Sequence, residues 1–114
     1  MSDYVDLSRV TDLEGVMGAQ AGAMVAAMLR SMTSAIEQVE AATAAGELDR
    51  ATRAAHAARN DALMLGARPL QEALTELEVA ARAWDAARTD VALERLRAVW
   101  PPTRDQLAAV ADPT

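Results

Sequence analysis

Apolar residues return at intervals of three and four along almost the whole chain, through long stretches without proline, and that combination admits helices and little else. Leu13, Met17, Met24, Met28, Met32, Ile36 and Val39 keep one face apolar for about 30 residues, which predicts a long amphipathic helix ending near Ala45. A capping box of Thr11 and Glu14 marks its start, with a short helical turn over Asp6 to Val10 ahead of it. Gly46 suits the position just past a helix end, and Glu47 and Asp49 suit the first turn of the next helix, where the macrodipole favours negative charge. That next helix carries Leu48, Ala51, Ala55, Ala58, Ala62 and Leu65 as a narrow seam of mostly small side chains, and Gly66 stops it. Pro69 is compatible only with a first helical turn, so it opens a further helix with Leu70, Leu74, Leu77, Ala81 and Trp84 on one stripe, fading around Arg88. Thr89 and Asp90 read as the start of a last helix bearing Val91, Leu93, Leu96 and Trp100, which Pro101 and Pro102 kink or break before Arg104 to Ala111.

Long helices joined by very short turns run antiparallel, and they bury all their stripes together only as a bundle. The expected fold is therefore all-α: an up-and-down antiparallel four-helix bundle with a short N-terminal helix and a proline-kinked C-terminal helix. Its 114 residues suffice for one domain, residues 1–114, with one modest core. Met24, Met28, Leu65, Leu74, Leu77, Leu93 and Leu96 are its expected core members.

Composition narrows the chemistry. A formal charge of −6 argues against a nucleic-acid partner, because phosphate-backbone binding needs clustered cations. The apolar run from Gly22 to Leu29 lacks a basic flank and is cut by Arg30, well short of the roughly 20 residues of a membrane span, so no membrane association is expected. With no cysteine there is no disulfide, and the cytoplasm is the expected compartment. All 11 basic residues are arginine, a bias that with the alanine content points to GC-rich coding and a bacterial source. Without cysteine or a Glu-x-x-His pair no metal site is expected, and no strand-to-helix elbow supports a serine hydrolase.

One histidine remains to do chemistry, His56. At about 100° per residue the seam of its helix points roughly 130° away from it, so His56 is expected to face water in mid-helix. Within about 60° of it lie Thr52, Arg53, Arg59, Asn60 and Leu63, with Asp61 and Met64 on the flank. An exposed imidazole has a ring nitrogen free near neutral pH to attack an electrophile such as an acyl phosphate. Arg59, one turn along, is placed to offset phosphate charge, and Leu63 offers a partner an apolar footing. The plainer alternative is a surface histidine with no role.

Residues 56–78, HAARNDALMLGARPLQEALTELE, resemble the signature of histidine-containing phosphotransfer (HPt) domains. In that signature a histidine is followed by a basic residue at the third position, a glycine-alanine pair at the tenth and eleventh, and a later Leu-Glu. Here these are His56, Arg59, Gly66 with Ala67, and Leu77 with Glu78, and Leu70 also fits the pattern. VDLSRV near the start and AAGELDRATRAAH before the histidine extend the likeness over essentially the whole chain. Two positions depart: Arg59 stands where the family usually has Lys, and Asn60 where it usually has Gly, which narrows the space for an approaching partner. The resemblance implies a phosphorelay intermediate, with His56 accepting a phosphoryl group from a receiver-domain aspartyl phosphate and passing it to another receiver. Thr52, Arg53, Arg59, Asn60 and Leu63 would bind phosphate or receiver. The implied partners are response-regulator receiver domains and a hybrid histidine kinase, met by a monomer with no cofactor of its own, the receiver supplying Mg²⁺. His56-Ala-Ala-Arg59-Asn60 also resembles the phosphoacceptor helix of dimeric histidine kinases, but Ala57 and Asp61 stand where that family has an acidic residue and a proline. Two alternatives stay open: a docking module of degenerate HPt type that binds a receiver or kinase without carrying phosphate, and a purely structural bundle.

Overall fold

In the computed structural model, which describes residues 4–111, α1 (Leu7–Met17) and a 3₁₀ turn (Gly18–Gln20) lead into α2 (Ala21–Ala44), α3 (Leu48–Met64), α4 (Arg68–Arg82) and α5 (Ala86–Ala111). The last four form the antiparallel bundle: α3 packs between α2 and α4, and α5 closes the ring by packing on both α4 and α2. Every residue of the small-side-chain seam, from Leu48 to Leu65, is buried. Gly46 and Gly66, at φ +72° and +68°, end α2 and α3 in the left-handed conformation that glycine adopts without steric cost.

Gly66 meets a second demand. The Asp6 amide donates to the Gly66 carbonyl at 2.8 Å, and a Cβ at position 66 would lie 2.8 Å from both Asp6 Cβ and Arg9 Cγ. The start of α1 thus lies directly on the α3–α4 turn. Across the same end, the amides of Tyr4 and Val5 both donate to Gln106 Oε1 on α5 at 3.1 Å.

This anchoring explains where α1 begins. Asp6, not Thr11, is the N-cap, accepting from the Ser8 amide at 3.0 Å and the Ser8 hydroxyl at 2.7 Å. Those hydrogen bonds hold the Asp6 carboxyl below the usual carboxylate range. Thr11 lies inside the helix with its hydroxyl turned back to the Leu7 carbonyl at 2.9 Å. The single long helix expected from residue 13 to 45 is interrupted at Gly18, whose φ of +61° ends α1. Beyond the break the buried line is Ala21, Val25, Met32, Ile36 and Val39. Met28 and Met24 are only half-buried, contrary to expectation. On a helix Val25 sits about 20° from the direction of Met32, Met28 about 40° and Met24 about 80°, so the methionine line drifts off the core.

The other corrections fall at the α4–α5 turn. α4 ends at Arg82 and not near Arg88, because the Trp84 and Asp85 amides turn back to the Ala81 and Ala80 carbonyls, each at 3.0 Å. Trp84 therefore leaves the stripe, stands 66% exposed and takes φ +57°, the only non-glycine residue with positive φ among those described. Asp85 then starts α5, its carboxylate accepting from the Arg88 amide at 3.0 Å, so Thr89 and Asp90 lie within the helix. Thr89 is buried, its hydroxyl on the Asp85 carbonyl, and Val91 faces solvent. α5 stays helical through Pro101 and Pro102, so the break does not occur. Arg95 ties α5 to Glu72 and Glu76 of α4, and Arg97 ties it to Glu40 of α2; both guanidiniums are held above even the usual arginine range by these partners.

Candidate functional site

The packing of α4 against α3 brings a carboxylate beneath the exposed face of α3. Glu78 follows Leu74 by four residues and precedes Ala81 by three, so it falls on the buried stripe of α4 and its side chain is only 5% exposed. A carboxylate in that position needs compensation. Three groups provide it: His56 Nδ1 at 3.1 Å from Oε2, Arg82 Nη2 at 2.5 Å from Oε2, and Arg59 Nε at 3.3 Å from Oε1. The Arg59–Glu78 contact is an ion pair without hydrogen-bond alignment.

His56 is half exposed, with its side chain at 51%, as the helical geometry predicts. Its Nδ1 has two neighbours, because Arg59 Nη2 also lies 2.9 Å away. A guanidinium only donates and a carboxylate only accepts, so one nitrogen cannot satisfy both at once. Arg59 has other donors and a direct ion pair with Glu78, whereas the carboxylate is fixed in the interface. The contact with Glu78 is therefore met by the tautomer in which Nδ1–H donates to the carboxylate. That tautomer leaves the Nε2 lone pair free, and the anchored ring holds it in place.

The remaining predicted residues divide by where their side chains go. Arg59, 30% exposed, is drawn inward onto Glu78 and His56. Asn60 and Leu63 are exposed on the same face of α3 as His56. Arg53 is exposed and lines a shallow groove between α2 and α3 with Ser31, Ser34, Gln38 and Arg50. Thr52 is half-buried, and its hydroxyl donates to the Leu48 carbonyl at 2.9 Å. Glu78 and Arg82 are site members that the sequence reading did not name as such. A signal for Glu78 was present, since a glutamate on an otherwise apolar stripe calls for a charged partner across the interface.

The helical bundle thus presents its one histidine on the outer face, held from below by a buried carboxylate. The model of the Hpt domain family matches residues 23–111, and the chain belongs to that family of histidine-containing phosphotransfer domains. Its fold is similar to the crystal structure of histidine-containing phosphotransfer protein B (HptB) from Pseudomonas aeruginosa PAO1, with a TM-score of 0.89, 18% sequence identity and coverage of 100% of this chain and 99% of that one. Among curated protein sequences none matches this chain at a significant level.

Proposed function

We propose that the protein is a phosphorelay intermediate in which His56 takes a phosphoryl group from the aspartyl phosphate of one receiver domain and passes it to the aspartate of another. The observation that carries this reading is the contact between His56 Nδ1 and Glu78. Nε2 attacks phosphorus in line with the aspartyl oxygen, the aspartyl O–P bond breaks, and the aspartate leaves as a carboxylate with the bonding electron pair. The ring becomes a phosphorylated imidazolium that keeps its Nδ1 proton, and Glu78 offsets the new positive charge at no cost in reorganisation. No proton has to leave, so the second receiver can take the phosphoryl group by the reverse step. Mg²⁺ belongs to the receivers, and this chain contributes the nucleophile, its orientation and a docking face that includes Arg53, Asn60 and Leu63.

The partners in this reading are response-regulator receivers and a hybrid histidine kinase, met in the cytoplasm by a monomer. No helix of the described residues is long and apolar enough to cross a membrane. One observation favours the alternative of a docking module that carries no phosphate: the Asn60 side chain stands exposed one turn from His56, where a partner must approach closely. Incubation with a panel of phosphorylated receivers separates the two. Acid-labile, base-stable phosphate that appears on the wild type and is absent from His56→Gln is the expected result. Receiver binding without any such label would establish the docking module instead.

A further inference from the structure

Asn60 occupies a position that the relay chemistry leaves unused. It follows His56 by four residues on α3, so the two Cβ atoms lie about 5–6 Å apart on one face of the helix. Arg59 and Arg82 are drawn onto Glu78, and Arg59 also contacts His56. On the outward side, where a docked receiver would bring its aspartyl phosphate, the exposed Asn60 carboxamide is the neutral polar group beside His56 and Arg53 the exposed charged one. A carboxamide carries two donors and an acceptor, so it can accept a hydrogen bond from a water molecule and donate one to a phosphoryl oxygen. Holding a water in line with a scissile P–O bond is how carboxamide side chains act in GTP hydrolysis.

We propose that Asn60 gives this face a second activity, hydrolysis of a docked receiver's aspartyl phosphate with water as the acceptor. The inference rests on the reading of the His56 face as a receiver-docking surface. In this step the oxygen of the water held by Asn60 forms a bond to phosphorus while the aspartyl O–P bond breaks. The aspartate leaves as a carboxylate with the electron pair, and the protons of the water stay with the phosphoryl group, which departs as dihydrogen phosphate. The water and His56 Nε2 compete for the same phosphorus, so Asn60 is a positioning residue that diverts part of the flow from transfer to discharge. The protein then both relays a signal and limits its lifetime.

The test removes the competing acceptor. A receiver that labels the wild-type protein is charged with radiolabelled acetyl phosphate, freed of donor, and mixed with full-length His56→Gln, and inorganic phosphate release is followed against the receiver alone. Release should rise by about tenfold, a modest share of what a positioned group contributes. In His56→Gln/Asn60→Ala, followed at protein concentrations that saturate the receiver so that any lost affinity does not enter, it should return to the rate of the receiver alone. In His56→Gln/Asn60→Gln, which restores a carboxamide, release should recover in part. If His56→Gln leaves release unchanged while the wild type still takes up label, the hydrolytic activity is refuted and the relay stands. Acceleration that survives Asn60→Ala refutes the assignment to Asn60. If no receiver labels the wild type, the relay reading fails first, and this one with it.

Discussion

Replacing Glu78 by leucine should separate stability from function, because the carboxylate is buried while its partners are not. In gross terms the substitution removes up to three interactions with charged or ionisable partners, each of about 1.5–3 kcal/mol. Against this, it relieves the cost of keeping a carboxylate at 5% exposure, which is several kcal/mol, and buries apolar surface in its place, about 1.5–3 kcal/mol for a leucine side chain. The deciding quantity is what remains behind. Side chains left without Glu78 are His56 at 51%, Arg82 at 65% and Arg59 at 30% exposure, so all three can hydrate and none becomes a buried orphan charge. Glu78→Leu should therefore lie within about 1 kcal/mol of the wild type or be more stable, as replacement of buried ion pairs by apolar residues often is.

Phosphate acceptance should move the other way. Without an acceptor for Nδ1–H the imidazole loses its anchor and its preferred tautomer, and single-turnover transfer from a phosphorylated receiver should fall about 10- to 100-fold. Glu78→Gln keeps an amide oxygen that can accept the same hydrogen bond, so its transfer rate should stay much closer to the wild type. Urea unfolding supplies the stability difference, and ¹⁵N NMR of the ring reports the tautomer directly. A Glu78→Leu protein destabilised by more than about 3 kcal/mol would show that the cluster is a net stabilising element. Unchanged transfer in that variant would show that Glu78 does not position His56, and the proposed route would lose its main support.

Leu77 is fully buried, so Leu77→Ala should cost about 2–5 kcal/mol in urea unfolding, whereas His56→Gln should change stability little. Gly66→Ala should lower the melting temperature more than Gly46→Ala: both residues have positive φ, which costs an L-residue about 1–2 kcal/mol, but only at position 66 does the new Cβ meet Asp6 and Arg9. Trp84→Gly should leave the melting temperature unchanged or raise it, because it relieves a left-handed backbone at a side chain that is largely in solvent; a clear loss would mean that Trp84 packs more than its exposure shows. Leu63→Ala should weaken receiver binding by about 1 kcal/mol with the transfer chemistry intact, and unchanged affinity in a titration would move the interface elsewhere.

The helices and the outward direction of His56 were legible because they depend on local periodicity. In α3 and its C-cap Leu65, six seam residues in steps of three and four fix both the buried side and, by rotation, the exposed one. Gly46, Gly66 and Pro69 punctuate that pattern through their own backbone preferences, with no help from neighbours. Two of the misread points depend on segments far apart in sequence, and a third on a local turn between two candidate caps. Asp6 overrides Thr11 as the helix start because the first helix is held against the α3–α4 turn. The methionine line of α2 proved less buried than the line through Val25, because small angular offsets are resolved only when α3 and α5 close around the helix. Both Asp85 and Thr89 can begin a helix by their chemistry, and the backward turn of the chain after Ala83 decided for Asp85. The same distinction governs the site. The histidine, the arginine one turn on and the face they share follow from the sequence of one helix. Only the packing of α4 on α3 puts the Glu78 carboxylate under the ring and draws Arg59 inward, because the cost of burying a charge is met by whichever groups the fold brings within reach.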